Sequence, residues 1–232
     1  MILEICANSY QSAINAQVAG AHRIELCSEL SVGGVTPSHG VLKKVMADIK
    51  IPVHVLIRPR SGNFLYSENE FEIMKETIRL CKDLHCAGIV SGVLHEDNTI
   101  DKKRTLELIE LAKPLSFTFH RAFDEVIHPK EALLQLIALG ADRLLTSGQE
   151  EKAEDGIDLI IELQKLAKNK LTILPGSGIN SENCIHFKTA GFSEIHSSAS
   201  KIISKNIPSY TGESTQTISD VETIKKILNA LV

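Results

Sequence analysis

The chain of 232 residues contains no tryptophan, and aromatic residues make up only 4% of it. Stacking platforms for single-stranded nucleic acid or sugars need aromatic rings, so the composition disfavours such proteins. A large excess of charge of one sign is also lacking, because 25 Lys and Arg residues nearly balance 29 Asp and Glu residues, which gives a formal net charge of −4. Such a chain has no strong field for nucleic acid or an anionic membrane surface. We therefore expect neither among its partners.

Long apolar runs are absent as well, and none approaches the about 20 residues that a membrane span needs. A signal peptide begins with a basic region that is followed by an apolar stretch. Residues 1–5 instead carry the acidic Glu4, so we expect no signal peptide. The five cysteines form no closely spaced pair. An odd number of scattered cysteines favours reduced thiols and a cytoplasmic location.

Short apolar runs instead alternate with longer stretches of helical spacing along the whole chain. Eight runs predict strands, at residues 2–6, 23–27, 52–58, 88–94, 115–121, 142–147, 171–175 and 193–197. Strands that alternate with helices are typical of a parallel sheet. Eight units in 232 residues come close to the about 250 residues of a (β/α)8 barrel.

We therefore predict an α/β protein with a single TIM-barrel domain over residues 1–232, with a doubly wound open sheet as the alternative. No Gly-x-Gly-x-x-Gly motif follows the first strand, so we expect no nucleotide cofactor. The polar stretch at about 201–217 predicts an irregular loop before the last helix.

Side chains alternate between the two faces of a strand, so each predicted strand divides into an apolar and a polar set. If the apolar sets pack against helices, the barrel lumen receives Glu4, Glu25, His54, Arg58, Thr118, His120 and His196. Barrel interiors are ordinarily filled by branched aliphatic residues, and buried charges cost stability unless they are paired. The polar lumen indicates either a site or a structural ion-pair network. In the network, arginines would neutralise carboxylates: Arg23, Arg58 and Arg143 with Glu4, Glu25 and Glu194.

The C-terminal ends of barrel strands form the active face in TIM-barrel enzymes. The fifth strand ends in the densest group of functional side chains, with His120, Arg121 and Asp124 around one strand exit. An imidazole there can act as general acid or base, oriented by a carboxylate. The alternative is that Asp124 caps the loop and Arg121 pairs outward. If the protein is an enzyme, the candidate catalytic residues are His120, Glu25, Glu4, Asp124 and His196.

The loops after strands seven and eight resemble an anion site. They read Pro-Gly-Ser-Gly-Ile at 175–179 and His-Ser-Ser-Ala-Ser at 196–200, and barrel enzymes often bind phosphate at these two loops. Two arginines after strand three can also grip an anion. The candidate anion-binding residues are Arg58, Arg60, Gly176, Ser177, Gly178, Ser197 and Ser198. Ordinary βα turns use the same residue types, so a purely structural role is the alternative.

Cys6 and Cys27 come at equivalent ends of neighbouring strands. Two thiolates suit a soft ion such as Cu(I). Cysteine is also often a small buried apolar residue, and no Cys-x-x-Cys motif supports a metal site. Both interpretations remain open at this level.

At these residues the chain resembles the CutC family, which is named for copper homeostasis. The matching strings run in family order: Glu25-Leu-Cys27, Gly33-Gly-x-Thr-Pro-Ser38, Ile57-Arg-Pro-Arg60, Phe64-Leu-Tyr-Ser67, Thr118-Phe-His-Arg-Ala-Phe-Asp124, Leu145-Thr-Ser-Gly148 and His196-Ser-Ser-Ala199. Ser61 stands where the family usually has glycine, and Ser177 replaces a usual small residue between two glycines. Both departures concern loop detail.

The resemblance implies a TIM barrel, a cytosolic location, a homo-oligomer (dimer or higher) and a role in copper handling through Cu(I). It also implies that Cys6 and Cys27 are the copper ligands. Two hypotheses follow. The first is a copper homeostasis protein that binds Cu(I) at the C-terminal mouth of the barrel, with copper as its partner. The alternative is a TIM-barrel enzyme that acts on a small anionic or phosphorylated metabolite by acid–base chemistry.

Overall fold

Eight parallel strands form the wall of a barrel in the computed structural model, which describes residues 1–207 and 214–232. The strands are β1 Ile2–Ala7, β2 Arg23–Leu26, β3 Val53–Leu56, β4 Gly88–Ser91, β5 Ser116–Phe119, β6 Arg143–Thr146, β7 Thr172–Pro175 and β8 Glu194–Ser197. Their order around the sheet is β7-β6-β5-β4-β3-β2-β1-β8. A parallel bridge between Gly176 and His196 joins the two remaining edges. The predicted TIM barrel is therefore confirmed, and the open doubly wound sheet is wrong.

Helices connect the strands and cover the outside of the barrel. They are α1 Tyr10–Ala19, α2 His39–Asp48, α3 Glu68–Asp83, α4 Lys102–Ala112, α5 Pro129–Leu139, α6 Ile157–Ala167, α7 Cys184–Thr189 and α8 Val221–Ala230. Short 3-10 helices span Leu30–Val32 and Arg121–Glu125. Across the described ranges, every helix is too short or too polar to cross a membrane.

The main core lies between the strands and the surrounding helices. On β1, Leu3 and Ile5 are fully buried in this core, whereas Glu4 between them points into the lumen and pairs there with charged groups. Burial of one such aliphatic side chain contributes about 1.5–3 kcal/mol, which fixes the face that each strand turns outward. The predicted alternation is confirmed, and it delivers the polar side chains to the interior.

The stretch after β8 differs from the irregular loop predicted at about 201–217. Its described residues form an antiparallel pair, β9 Ser200–Ile207 with β10 Ser214–Ser219, and residues 208–213 lie outside the described part. The pair is fastened to the first βα unit, where Asn8 donates hydrogen bonds to Thr217. Ile202 and Ile203 are exposed. Because Ile202 and Ile203 lie outside the core, apolar burial does not mark this part of β9, and a search for buried apolar runs does not find it.

Candidate functional site

The floor of the lumen is an ion-pair network. The buried Arg23 guanidinium donates hydrogen bonds to the carboxylates of both Glu4 and Glu194. Arg143 donates to the same Glu194 carboxylate at 3.2 Å and to the Ser116 hydroxyl. Charges that are mutually paired in this way can be tolerated in a buried position. Arg23 and Arg143 thus pair with Glu4 and Glu194, as the network interpretation expects. Arg58 bonds to backbone carbonyls instead of joining this network.

A tight ion pair between β1 and β8 lies next to this floor. The Nδ1 atom of His196 lies 2.7 Å from Oε1 of Glu4. Burial opposes the charge on Glu4, but the hydrogen bond with His196 and the positive charge of Arg23 hold the pKa of that carboxyl well below its usual range. Burial also opposes the charge on His196, yet Cys6, Glu4 and Glu25 raise its pKa well above the ordinary value. We therefore describe the pair as carboxylate and imidazolium.

Glu25 differs from Glu4 in its surroundings. Within the described residues its Oε2 atom has no hydrogen-bond partner, and it lies 3.8 Å from Nδ1 of His196. Burial and the nearby charge of Glu4 raise the pKa of Glu25 to about 7, although His196 and Arg23 act in the opposite direction. A carboxyl group with a pKa near neutrality can both accept and return a proton, as a general acid–base catalyst must.

The donor atoms of Glu4, Glu25 and His196 lie within 4.8 Å of one another. Such a set of two carboxylates and one imidazole can hold a metal ion. Here, however, Glu4 already bonds to Arg23 and to His196. The existing ion pairs account for this cluster without a metal.

A cavity of about 490 Å³ opens at the C-terminal mouth of the barrel. This volume falls in the range of small-molecule sites. Ten of the residues predicted for a site line it: Cys6, Glu25, Arg58, His120, Asp124, Ser177, Gly178, His196, Ser197 and Ser198. The four other predicted residues, Glu4, Cys27, Arg60 and Gly176, are not among its lining.

His120 presents one nitrogen to the protein backbone and leaves the other without a partner. Its Nδ1 atom accepts a hydrogen bond from the backbone N–H of Ala122 at 3.2 Å, so the proton of the neutral ring resides on Nε2. Burial and the charge of Arg58 lower the pKa of His120 to about 3, which keeps the ring neutral. Nε2 is buried without a hydrogen-bond partner among the described residues. The side chain thus offers a neutral donor at the cavity wall.

The position of the His120 ring depends on its neighbours. Phe64 packs against it with a centroid separation of 4.9 Å. A Cβ atom on Gly92 would lie 2.7 Å from Nδ1 of His120. Only glycine leaves room for the imidazole at this strand end, so Gly92 belongs to the construction of the site.

Arg121 and Asp124 form a bonded pair at the rim. The Arg121 guanidinium donates to Asp124 at 2.8 Å, to Ser147 at 2.9 Å and to the Ser177 hydroxyl at 3.4 Å. Both oxygens of Asp124 also accept hydrogen bonds from the loop after β6, including the Ser147 backbone N–H. Asp124 therefore holds this loop in place, and Arg121 pairs with Asp124 rather than outward while it carries positive charge toward the loop after β7.

The two arginines after β3 have different surroundings from those expected of an anion site. Arg58 lines the cavity, but its Nη atoms donate to the backbone carbonyls of Val32, Gly34 and Gly62. Arg60 does not line the cavity, and it pairs with Glu70 at the start of α3. Arg58 thus places positive charge at the site, but its terminal N–H groups already donate to backbone carbonyls. Arg60 lies outside the site.

Cys6 and Cys27 lie side by side, with their Sγ atoms 3.6 Å apart. They pack in a small apolar cluster with Leu56 and Val90, separate from the main core. The hydrogen bond with Cys27 and burial raise the pKa of the Cys6 thiol well above its ordinary value. Cys6 lines the cavity, whereas Cys27 is fully buried behind it. Only one of the two thiols faces the opening directly.

The comparisons with known proteins agree with this architecture. The model of the CutC family matches residues 1–201. The chain belongs to the CutC family. A human relative named "Copper homeostasis protein cutC homolog" is 48% identical over 199 residues, which cover 85% of this chain and 73% of the relative. The CutC family resemblance seen in the sequence strings is confirmed.

Two further relatives extend the similarity to bacteria. A CutC family protein from Parabacteroides distasonis is 48% identical over 204 residues, covering 87% of this chain and 84% of that protein. A CutC crystal structure from Streptococcus agalactiae has a TM-score of 0.80 at 34% identity, covering 85% of this chain and 98% of that chain. The family match therefore holds in sequence and in fold.

Two features of the site are not evident from the sequence patterns. Arg121 lies close to the loop after β7, although its sequence signal is only its place after His120 at a strand exit, a position that marks the active face. Ser177 adopts a φ of +92°, in the left-handed region that side chains rarely occupy. The serine between two glycines was the only available signal, because φ angles cannot be read from residue types.

Proposed function

We propose that the chain acts in copper homeostasis by binding Cu(I) between Cys6 and Cys27. The observation that carries this proposal is the 3.6 Å separation of the two Sγ atoms. Zinc–thiolate bonds are about 2.3 Å long. One ion that forms bonds of similar length can therefore contact both sulfurs. The names of the relatives support a role in copper homeostasis.

The surroundings of the two sulfurs suit a soft ion. Thiolates are the ligands that Cu(I) prefers, and an apolar shell of Leu56 and Val90 disfavours hydrated, hard cations. Cys6 lines the cavity and so gives an ion access to the more deeply buried Cys27. The bound ion would be cargo of the protein, held at the base of the barrel mouth.

The proposal is tested by anaerobic titration of the reduced protein with Cu(I) against a competing chelator. Cys6→Ser and Cys27→Ser should each abolish tight one-to-one binding, whereas Cys184→Ser, a buried free cysteine in α7, should leave it intact. Thermal unfolding of each variant establishes that the fold is retained. Unchanged binding in the folded Cys6 and Cys27 variants would exclude these residues as the ligands.

A second candidate function is acid–base catalysis on a small anionic metabolite. Glu25 favours it, because this cavity-lining residue combines a pKa of about 7 with a buried carboxyl oxygen that has no partner among the described residues. Glu25 would transfer the proton, and the His196–Glu4 pair would set the electrostatic environment of that transfer. Exchange of solvent deuterium into candidate metabolites, compared between the protein and Glu25→Gln, tests this role. Equal exchange by both would overturn it.

The location and assembly belong to the same proposal. We propose a cytoplasmic homo-oligomer, as the family resemblance implies. All five cysteines are free thiols, which is compatible with a reducing compartment. Sedimentation of the purified chain at several concentrations tests the assembly, and a single monomeric species throughout would contradict it.

A further inference from the structure

We infer that the barrel mouth binds a small hydroxylated organic phosphate, with the phosphate between Arg121 and the loops after β7 and β8 and the hydroxylated part against His120. This inference names the ligand class of the second candidate function and does not need the Cu(I) site. It concerns binding, so it can be tested without any turnover.

The rim provides donors for a phosphate group. Gly178 and Ser198 line the cavity, and within the described residues their backbone N–H groups have no acceptor. The Ser198 hydroxyl makes only a long hydrogen bond, of 3.3 Å, to the Ser200 hydroxyl. The guanidinium of Arg121 brings positive charge within 3.4 Å of the Ser177 hydroxyl. Backbone N–H groups combined with a guanidinium are the usual partners of a phosphate.

The conformation of the β7 loop is consistent with a binding role. Ser177 and Gly178 follow one another with φ angles of +92° and +71°. A side chain in this region costs on the order of 1–3 kcal/mol and persists when the surroundings enforce it. Here the Ser177 hydroxyl donates to the Glu151 carbonyl at 2.7 Å, which holds the loop in place.

The deeper wall has a different character. The Nε2–H group of His120 and the Oε2 atom of Glu25 are both buried without partners among the described residues. A buried unpaired polar group is costly, which makes each of them a candidate for contact with a ligand. One is a neutral donor and the other an acceptor, and a hydroxyl group can satisfy either kind. An anionic group would be repelled at this end by Glu25 and Glu4.

The two ends together define the ligand. The phosphate lies near Arg121, and uncharged hydroxyl groups reach inward to His120 and Glu25. The cavity of about 490 Å³ is large enough for such a small molecule. Arg58 adds positive charge at the wall, although its Nη donors remain with backbone carbonyls.

Calorimetric titration with three probes tests the inference: glycerol phosphate, propyl phosphate and inorganic phosphate. We expect glycerol phosphate to bind about tenfold more tightly than propyl phosphate, because only the former offers hydroxyl groups to the deep wall. Arg121→Gln should weaken all three probes by about tenfold or more. Arg60→Gln, an arginine outside the cavity, is the matched control and should change none of them.

Two variants of His120 isolate the donor at Nε2. The Asn carbonyl can still accept from the Ala122 N–H group, but its side chain is too short for the amide N–H groups to reach the Nε2 position, so His120→Asn should remove the preference for glycerol phosphate. Gln can place its amide N–H groups near the Nε2 position, so His120→Gln should retain part of that preference. Phosphate binding itself should persist in both variants. These differences separate ligand contact from a merely structural role of the ring.

The inference is overturned if the folded wild-type protein binds none of the probes at millimolar concentration. It is also overturned if glycerol phosphate and propyl phosphate bind equally, or if Arg60→Gln weakens binding as much as Arg121→Gln. Binding of the probes without deuterium exchange would contradict only the second candidate function. Cu(I) titration of His120→Asn should match the wild type, which keeps the result distinct from the copper proposal.

Discussion

Nδ1 of His196 lies 3.8 Å from Oε2 of Glu25, too far for a hydrogen bond but close enough for strong electrostatic coupling. The imidazolium therefore lowers a carboxyl pKa that burial raises. His196→Asn removes this positive charge, and we expect the pKa of Glu25 to rise above about 7. Titration of the carboxyl stretch by infrared spectroscopy measures the shift, with Glu25→Gln identifying the band and the exposed His95→Asn as control. A lower pKa in His196→Asn would contradict the assignment.

Acid should destabilise the protein through its buried neutral histidines. Burial lowers the pKa of His120 to about 3 and that of His54 to about 4, whereas the unfolded chain titrates near the ordinary value of about 6.5. Between these values the unfolded state binds more protons, so stability present above about pH 6.5 is lost as the pH falls toward the folded values. Each histidine contributes a slope of up to about 1.4 kcal/mol per pH unit.

Replacement of one of these histidines makes that effect measurable. His120→Asn should reduce the loss of unfolding free energy between pH 7.5 and pH 5 by about 2 kcal/mol, as the linkage relation gives for one histidine. Urea unfolding at the two pH values provides the comparison. An identical loss in wild type and variant would mean that His120 titrates normally in the folded protein.

Gly92 and Gly40 form a matched pair for testing the packing around His120. Gly92→Ala would place a Cβ atom 2.7 Å from Nδ1 of His120, and such overpacking costs about 1–3 kcal/mol. Gly40 is the second residue of α2, and apart from its chain neighbours and the backbone of this helix no atom lies within 4 Å of an added Cβ, so Gly40→Ala should stabilise by up to about 0.5 kcal/mol. Chemical unfolding measures both, and equal effects would show that the space beside His120 is not restrictive.

Copper affinity should increase as the pH rises. The pKa of Cys6 is raised by its contact with Cys27 and by burial, so this thiol is protonated before the ion binds. Cys6 releases a proton when it becomes a ligand, and loss of this proton predicts an affinity about tenfold higher per pH unit. Competition titrations at pH 6, 7 and 8, corrected for protonation of the chelator, measure this slope. An affinity independent of pH would exclude Cys6 as a thiolate ligand.

Local patterns in the sequence were sufficient for the barrel but not for the partners of each side chain. The eight strands were predictable because apolar runs and residue alternation are local properties. The surroundings of Arg58 were not, because its acceptors at Val32, Gly34 and Gly62 come from two different loops. The depth of Cys27 behind Cys6 is likewise a product of three-dimensional packing. The alternation of residues along a strand predicted which side chains point into the barrel, but not how far each one lies from the opening.

The ion pair between Glu4 and His196 joins residues 192 positions apart in the chain. During synthesis on a ribosome, Glu4 emerges early and stays without this partner until almost the whole barrel has been made. A shortened product that ends before residue 196 would retain most strands but lack the charge that organises the lumen. The pairing of the first barrel strand with the last therefore forms only after residue 196 has been made, so the charges of the lumen are balanced late in synthesis.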